Sequence, residues 1–346
     1  MYNKILCLVR EKMFLLIRGV NQQVSLFCNN GTSETASDIT FEFNSYLNLK
    51  PLHKKKLDQR FLEWFIGFTE GVGSFIILNN KVYFGITQNL DNIQVLYGIK
   101  KQLGFGKVLI RKESSPARLG SASQATNGQQ SKGIFYVTPG PKGDNFHRLI
   151  TIFNGNLCSK NKKEQFKIWL KTYNSQYDCN IQFIDRLVKP SLNTAWLSGF
   201  LDAEGCFTGR VKACHTYNLN KVPFLTFSVF KEEFYILSKI REILLSGPTI
   251  DTCLRLSSDL ASSSIKNIKY CKSSNSWQFH SSSVVKLKPL RNYLLRYGLK
   301  TKKSLAFTQW CKIHQLVDNK EHLTVIGLEK IDLLTKKINN YNMFTN

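Results

Sequence analysis

The sequence predicts an α+β fold made of two pseudo-symmetric repeats in one chain, each running helix–strand–strand–helix–strand–strand–helix (αββαββα) with antiparallel strands. Two observations carry this. The stretches from Trp64 to Phe75 and from Trp196 to Phe207 correspond at a constant offset of 132, which pairs Trp64 with Trp196, Gly67 with Gly199, Phe68 with Phe200, Gly73 with Gly205 and Phe75 with Phe207. The same order of strand and helix patterns follows each stretch, with a low-complexity loop at the same place in both.

Each stretch reads as an apolar helix that runs into a strand. In the second, Ala195, Leu197, Gly199, Phe200 and Ala203 leave no side plainly facing solvent. Gly199 and Ala203 lie four apart on one face, where another helix can approach closely. Gly67 and Gly71 are therefore expected to pack against Gly199 and Ala203 about a pseudo-twofold axis. Gly205 suits a sharp helix exit, where a positive φ is cheap only without a Cβ. In this register Asp202 matches Glu70, but Glu204 matches Val72.

In chain order, residues 1–54 form an N-terminal extension and linker. Lys4, Arg10, Lys12 and Arg18 are interspersed with apolar residues, but at about 100° per residue the charges do not gather on one face. A targeting segment and a docking extension both remain open. Repeat one spans 55–178. Ser74–Asn79 and Val82–Gln88 read as a hairpin across Asn79-Asn80-Lys81. Asp91–Leu103 reads as a helix burying Ile93, Leu96 and Ile99. Gly106–Arg111 and Gly133–Thr138 form a second strand pair around the loop 113–132, and Asp144–Phe153 and Lys162–Tyr177 are helices. After a linker at 179–192, repeat two spans 193–318. Its strands are Cys206–Cys214, Pro223–Phe230, Ile250–Leu256 and Trp277–His280, with a Ser-rich loop at 257–276. Its helices are Glu232–Leu245, Val284–Arg296 and Lys302–Leu316. Residues 319–346 close the chain with a helix over Glu321–Tyr341.

Lys+Arg 48 against Asp+Glu 24 gives a net charge of +24. An excess this large points to a polyanion, since phosphate neutralisation drives nucleic-acid binding. The nine cysteines show no CxxC spacing, and Cys158, Cys206 and Cys311 read as reduced core residues. The histidines make no HxxxH pair, and no apolar run is long enough to span a membrane. Strand alternation then sorts the sheet faces. With Phe207 turned inward, Cys206, Thr208, Arg210 and Lys212 face outward. Arg210 can read guanine and Lys212 can hold phosphate. The matching set of repeat one, Ser74, Ile76, Leu78 and Asn80, is more apolar, with Lys81, Lys107 and Arg111 supplying charge.

Residues Leu197 to Gly205, with a degenerate copy from Phe65 to Gly73, carry a family resemblance. The chain resembles the LAGLIDADG homing endonucleases and maturases in their single-chain, two-motif form. The resemblance implies saddle-shaped four-stranded antiparallel sheets whose concave faces lie in the DNA major groove. It also implies a divalent metal on the last acid of each motif, a lysine late in each repeat and a glutamine on the second strand. Glu204 fits the metal-binding role, and its hard oxygens suit Mg²⁺; Val72 offers no oxygen. Lys162 and Lys303, aligned through the helices bearing Phe166/Trp169 and Phe307/Trp310, are the candidates for stabilising developing charge. Gln88 resembles the strand glutamine, where repeat two has Ser228-Val229-Phe230-Lys231. Glu70 is expected to cap or pack. The implied function is an intron-encoded homing DNA endonuclease with impaired or nicking-only cleavage. An RNA-binding maturase and a non-catalytic ribonucleoprotein component are the alternatives. The implied molecule is a monomer with an internal pseudo-twofold, acting in an organelle, a mitochondrion or a chloroplast.

Overall fold

A computed structural model describes residues 41–54, 58–111, 131–140, 143–216, 219–245, 267–282 and 285–343. The first half contains α1 (Asn44–Leu49), α2 (Gln59–Val72), β1 (Gly73–Leu78), β2 (Lys81–Asn89), α3 (Ile93–Leu103), β3 (Lys107–Arg111), β4 (Lys132–Val137), α4 (Asp144–Phe153) and α5 (Lys160–Tyr177). The second contains α6 (Trp196–Glu204), β5 (Gly205–Ala213), β6 (Lys221–Lys231), α7 (Phe234–Leu245), β7 (Ile268–Cys271), β8 (Ser276–Ser281), α8 (Lys288–Tyr297), α9 (Lys303–Asp318) and α10 (Val325–Met343). Each half builds a four-stranded antiparallel sheet, in the orders β1-β2-β4-β3 and β5-β6-β8-β7.

The first hairpin closes through Asn79 and Asn80, both with positive φ (49° and 55°). That backbone matches the right-handed twist of the strands, and Asn tolerates it. The second hairpin runs further, to the pair Ala213↔Lys221, where the first ends at Leu78↔Lys81. The longer hairpin shifts the correspondence of the second strands. Gly73 pairs with Ile86 and Gly205 with Val229, so β6 residues match β2 residues 143 earlier.

Each sheet turns one face to an aromatic core. Phe75 packs on Phe84, Phe153, Phe166 and Trp169, with centroids 5.2–5.9 Å apart. Phe207 packs on Phe227, Phe307 and Trp310 at 5.3–5.5 Å. Each buried ring contributes roughly 1.5–3 kcal/mol.

The halves meet along α2 and α6. A Cβ on Gly67 would lie 2.0 Å from the Trp196 carbonyl oxygen, and one on Gly199 would lie 1.9 Å from that of Trp64. A Cβ on Gly71 would lie 2.1 Å from the Cβ of Ala203. Gly71 and Ala203 thus face each other directly, whereas Gly67 and Gly199 each seat the partner helix's backbone. Gly205 corrects one expectation. Its φ is −74°, so no left-handed turn requires it. Its Cβ would instead stand 2.7 Å from the Leu201 oxygen, and that close approach is what demands glycine.

Two further stretches differ from the sequence expectations, and the expected C-terminal helix is present as α10. The end of the N-terminal extension belongs to the body: Phe41, Phe43 and Tyr46 are buried, and Asn156 accepts from the Glu42 amide at 2.9 Å. β7 lies inside the stretch read as the Ser-rich loop 257–276; the strand expected at 250–256 and residues 113–130 of the loop read as 113–132 fall outside the described residues, as do residues 1–40. α10 closes the core of the second half. Ile331 and Ile338 are fully buried, and Asn339 donates to the Gly209 carbonyl at 3.1 Å.

Candidate nucleic-acid interface and catalytic centre

α2 and α6 deliver their C-terminal ends to the shared axis, where unpaired carbonyls concentrate partial negative charge. The inner acid of each helix has a structural task. Asp202 accepts from Trp64 Nε1 (2.8 Å), the Lys300 amide (2.7 Å), the Thr301 amide (2.9 Å) and the Thr301 hydroxyl (2.6 Å). Glu70 accepts from the Cys158 and Ser159 amides, both at 2.7 Å, and from Trp196 Nε1. Each acid therefore ties the tryptophan of the opposite motif helix to the start of a late helix in its own repeat. Both are buried, so Glu70 is not free to replace the acid that Val72 lacks.

Burial pushes the Glu70 carboxyl up to about 7, against the pull of its N–H donors. The folded value lies above the 4.5 of the free group, so folding takes up a proton between the two. Stability should therefore fall as pH rises from about 4.5 to 7. The Glu70→Gln variant should lack that portion of the slope, worth roughly 3 kcal/mol. Denaturant unfolding of both proteins across this window checks it.

The outer acid, Glu204, lies at the axis and is paired. Lys231 Nζ donates to Glu204 Oε1 at 2.7 Å and to the Gly71 carbonyl at 2.9 Å. Lys303 Nζ donates to the Ala203 carbonyl at 2.7 Å, and Lys162 Nζ to the Gly73 carbonyl at 2.6 Å. Three ammonium groups thus sit on the carbonyls where the motif helices end. Burial, then the neighbouring Lys231 charge, lowers Lys162 to about 8; burial also lowers Lys303. Val72 is half-buried and packs against the core.

Lys231 was missed by sequence reasoning as a member of this centre. The strand pairing supplies the signal: at the 143 offset of β6 against β2, Lys231 occupies the rung of Gln88. Counting from the motifs alone conceals this, because the hairpins differ in length.

These donors do not fit a resident divalent metal as they stand. Hard cations take several oxygen ligands, with carboxylates foremost. Glu204 is one carboxylate among three ammonium groups, and an ammonium already holds one of its oxygens. Among the described residues no group of three His, Cys, Asp or Glu side chains could hold a metal ion.

The outward sheet faces carry the basic and polar side chains. On β5, Phe207 and Gly209 are buried while Cys206, Thr208, Arg210 and Lys212 lie on the other face, with Arg210 exposed. Arg210 and Lys212 flank the Phe224 ring, with Cζ 5.3 Å and Nζ 3.4 Å from its centroid. His280 shares this face, and after burial the Lys269 and Lys212 charges depress its pKa. On the first sheet, Lys81 lies opposite Leu78, Tyr83 opposite Ile76 and Lys107 opposite Tyr136, while Arg111 ends β3 opposite Lys132. Lys81 and Lys107 are exposed. Arg210 and Lys212 do not approach the Glu204 centre; they belong to the flank of the second sheet.

Two αββαββα repeats docked on glycine-lined motif helices, with basic outer sheet faces and one acid at the axis, define a single-chain pseudodimer. Residues 197–314 match the family described as LAGLIDADG endonuclease. The chain belongs to the LAGLIDADG homing endonuclease and maturase family, in its single-chain, two-motif form. It is 36% identical over 281 residues to "Probable intron-encoded endonuclease 4" of Neurospora crassa, covering 81% of this chain and 44% of that protein. The chain thus spans less than half of that relative's length. It is 27% identical to "Intron-encoded RNA maturase bI4" of Saccharomyces cerevisiae, over 61% of this chain and 31% of that protein. Its fold resembles that of "I-SmaMI bound to uncleaved DNA target in the presence of Calcium ions" at a TM-score of 0.54 and 15% identity, covering 82% of this chain and 98% of that one. No helix among the described residues is long and apolar enough to cross a membrane.

Proposed function

We propose that the chain binds a long duplex DNA site across its two outer sheet faces and that it cleaves poorly, nicking one strand at most. The observation that carries this is the centre itself: two motif helices meet at the axis of a basic pseudodimer, yet Val72 supplies no oxygen and Lys231 holds the one acid, Glu204. With Lys231 displaced, Glu204 would be the residue to ligate a divalent cation, Mg²⁺ being the ion suited to its hard oxygens. Lys162, Lys303 and Gln88 stand where charge on a scissile phosphate would be met. Lys81, Lys107, Arg111 and Lys212 hold phosphates, while Arg210 and Thr208 reach bases. Intron-encoded fungal relatives support action in a mitochondrion rather than a chloroplast.

A second reading rests on the same incomplete centre. A chain that keeps the basic faces but not the paired acids can serve as an RNA-binding maturase or ribonucleoprotein component, and a relative bears the maturase name. Nucleic acid that co-purifies with the protein separates the two, since intron RNA rather than DNA would favour the maturase.

Binding should be steeply salt-dependent, with log K falling by about 0.9 per phosphate contacted for each unit of log salt on duplex DNA. Arg210→Ala should relax preference at one base position, at a cost of about 1–3 kcal/mol there. Lys212→Ala should weaken all sequences alike, and Leu78→Ala should change specificity little. Competition binding against a randomised duplex pool checks all three. Equal damage from Leu78→Ala and Arg210→Ala would refute the assignment of base reading to the second sheet.

A further inference from the structure

We propose that Lys231 takes the place of a divalent cation at the shared centre: its ammonium bridges Glu204 and the Gly71 carbonyl, silences the single acid, and leaves a bound phosphate to be held by lysines alone. The proposal rests on the nucleic-acid reading above and explains why the donor set does not fit a metal. Its two oxygens come from different halves of the molecule, one from the end of α6 and one from the end of α2, at 2.7 and 2.9 Å. A carboxylate and a helix-terminal carbonyl are the oxygens a hard cation would seek there. An ammonium carries three N–H donors, so the third remains for a phosphate oxygen.

Charge and position support the same assignment. With Lys162 and Lys303 on the neighbouring carbonyls, three ammonium groups surround the one carboxylate that faces the axis, which opposes a divalent ion there and attracts a phosphate. The equivalent rung of the first sheet carries Gln88, an uncharged amide. One lysine on a strand end thereby changes the electrostatic character of the centre without altering the fold around it.

Thermal unfolding and calorimetric titration with Mn²⁺ alone, without nucleic acid, test this on the parent, Glu204→Gln, Lys231→Gln, Lys231→Arg and the Glu204→Gln/Lys231→Gln double variant. The parent, Glu204→Gln and Lys231→Arg should show no Mn²⁺-dependent rise in Tm. Lys231→Gln should bind Mn²⁺ about tenfold or more tighter than the parent, and the double variant should lose that gain. A second arm does not depend on how the variants fold: chelating Mg²⁺ at matched ionic strength should not lower the parent's affinity for duplex DNA by more than about twofold, since Mg²⁺ acts there only as a competing counterion. A saturable Mn²⁺ shift in the parent that Glu204→Gln removes would overturn the proposal. So would a tenfold loss of DNA affinity on chelation, or a folded Lys231→Gln that gains no metal. Failure of the parent to bind nucleic acid in either buffer would sink the nucleic-acid reading and the phosphate role of Lys231 with it; the Mn²⁺ arms would still decide whether Lys231 silences Glu204.

Discussion

Gly199→Ala should unfold the protein or leave it barely stable, and Gly67→Ala should do the same. The added methyl at Gly199 would stand 1.9 Å from the Trp64 oxygen, 2.7 Å from the Trp64 carbonyl carbon and 2.8 Å from the Phe68 nitrogen. All three are backbone atoms of a buried helix, so no side chain can swing aside. The helices must separate, and their separation also pulls apart the tryptophan–carboxylate ties. Overpacking of flexible cores costs about 1–3 kcal/mol; a rigid backbone clash should exceed that, at roughly 3–5 kcal/mol. A loss of that size is a large fraction of a typical domain's net stability. Gly98→Ala is the control. It lies within α3, its Cβ would meet nothing within 4 Å, and it should stabilise by roughly 0.5–1 kcal/mol. Denaturant midpoints of the three variants provide the comparison.

Asp202→Ala should destabilise by about 3–5 kcal/mol. It strands four donors: an indole N–H from the opposite helix, two amides at the entrance to α9, and a buried hydroxyl. Trp64→Phe removes only one of the four hydrogen bonds and should cost less, about 1–2 kcal/mol. The contrast with Glu204 is the useful part. Glu204→Gln should leave folding and binding intact while removing any residual nicking, because Glu204 faces the axis and Asp202 does not. If Asp202→Asn folds normally yet loses activity, the division of labour between the two acids is wrong.

Much of this was legible in the sequence, for a physical reason. Helices that touch backbone to backbone tolerate only glycine or alanine at the contact, so Gly67, Gly71, Gly199 and Ala203 mark the interface without any structure. Strand alternation around Phe207 sorted Arg210 from the core because one sheet face is apolar. Other features left weaker traces. β7 contains Lys269 and Tyr270, both exposed, within a Ser- and Lys-rich stretch, so composition hid it. α1 is short; Arg148 holds its end at Leu49 and Asn156 holds Glu42 just before it, both from far along the chain, contacts that no local pattern announces. Lys231 was obscured by arithmetic: an offset fixed at the motifs does not survive a hairpin of different length. Gly205 was read as a glycine for the right position and the wrong cause, since φ and close approach are indistinguishable in a sequence.

The central claim is that Val72 and Lys231 leave the centre short of double-strand cleavage. The direct test is a supercoiled plasmid carrying a duplex site that the protein itself selects from a randomised pool, incubated with the parent in Mg²⁺ and resolved on a gel. Open circles at most and no linear product are expected, with linear product appearing when Val72→Asp is combined with Lys231→Gln. Linear DNA accumulating from the parent as fast as open circles would contradict that claim, for then another oxygen must be serving in place of the acid that Val72 lacks.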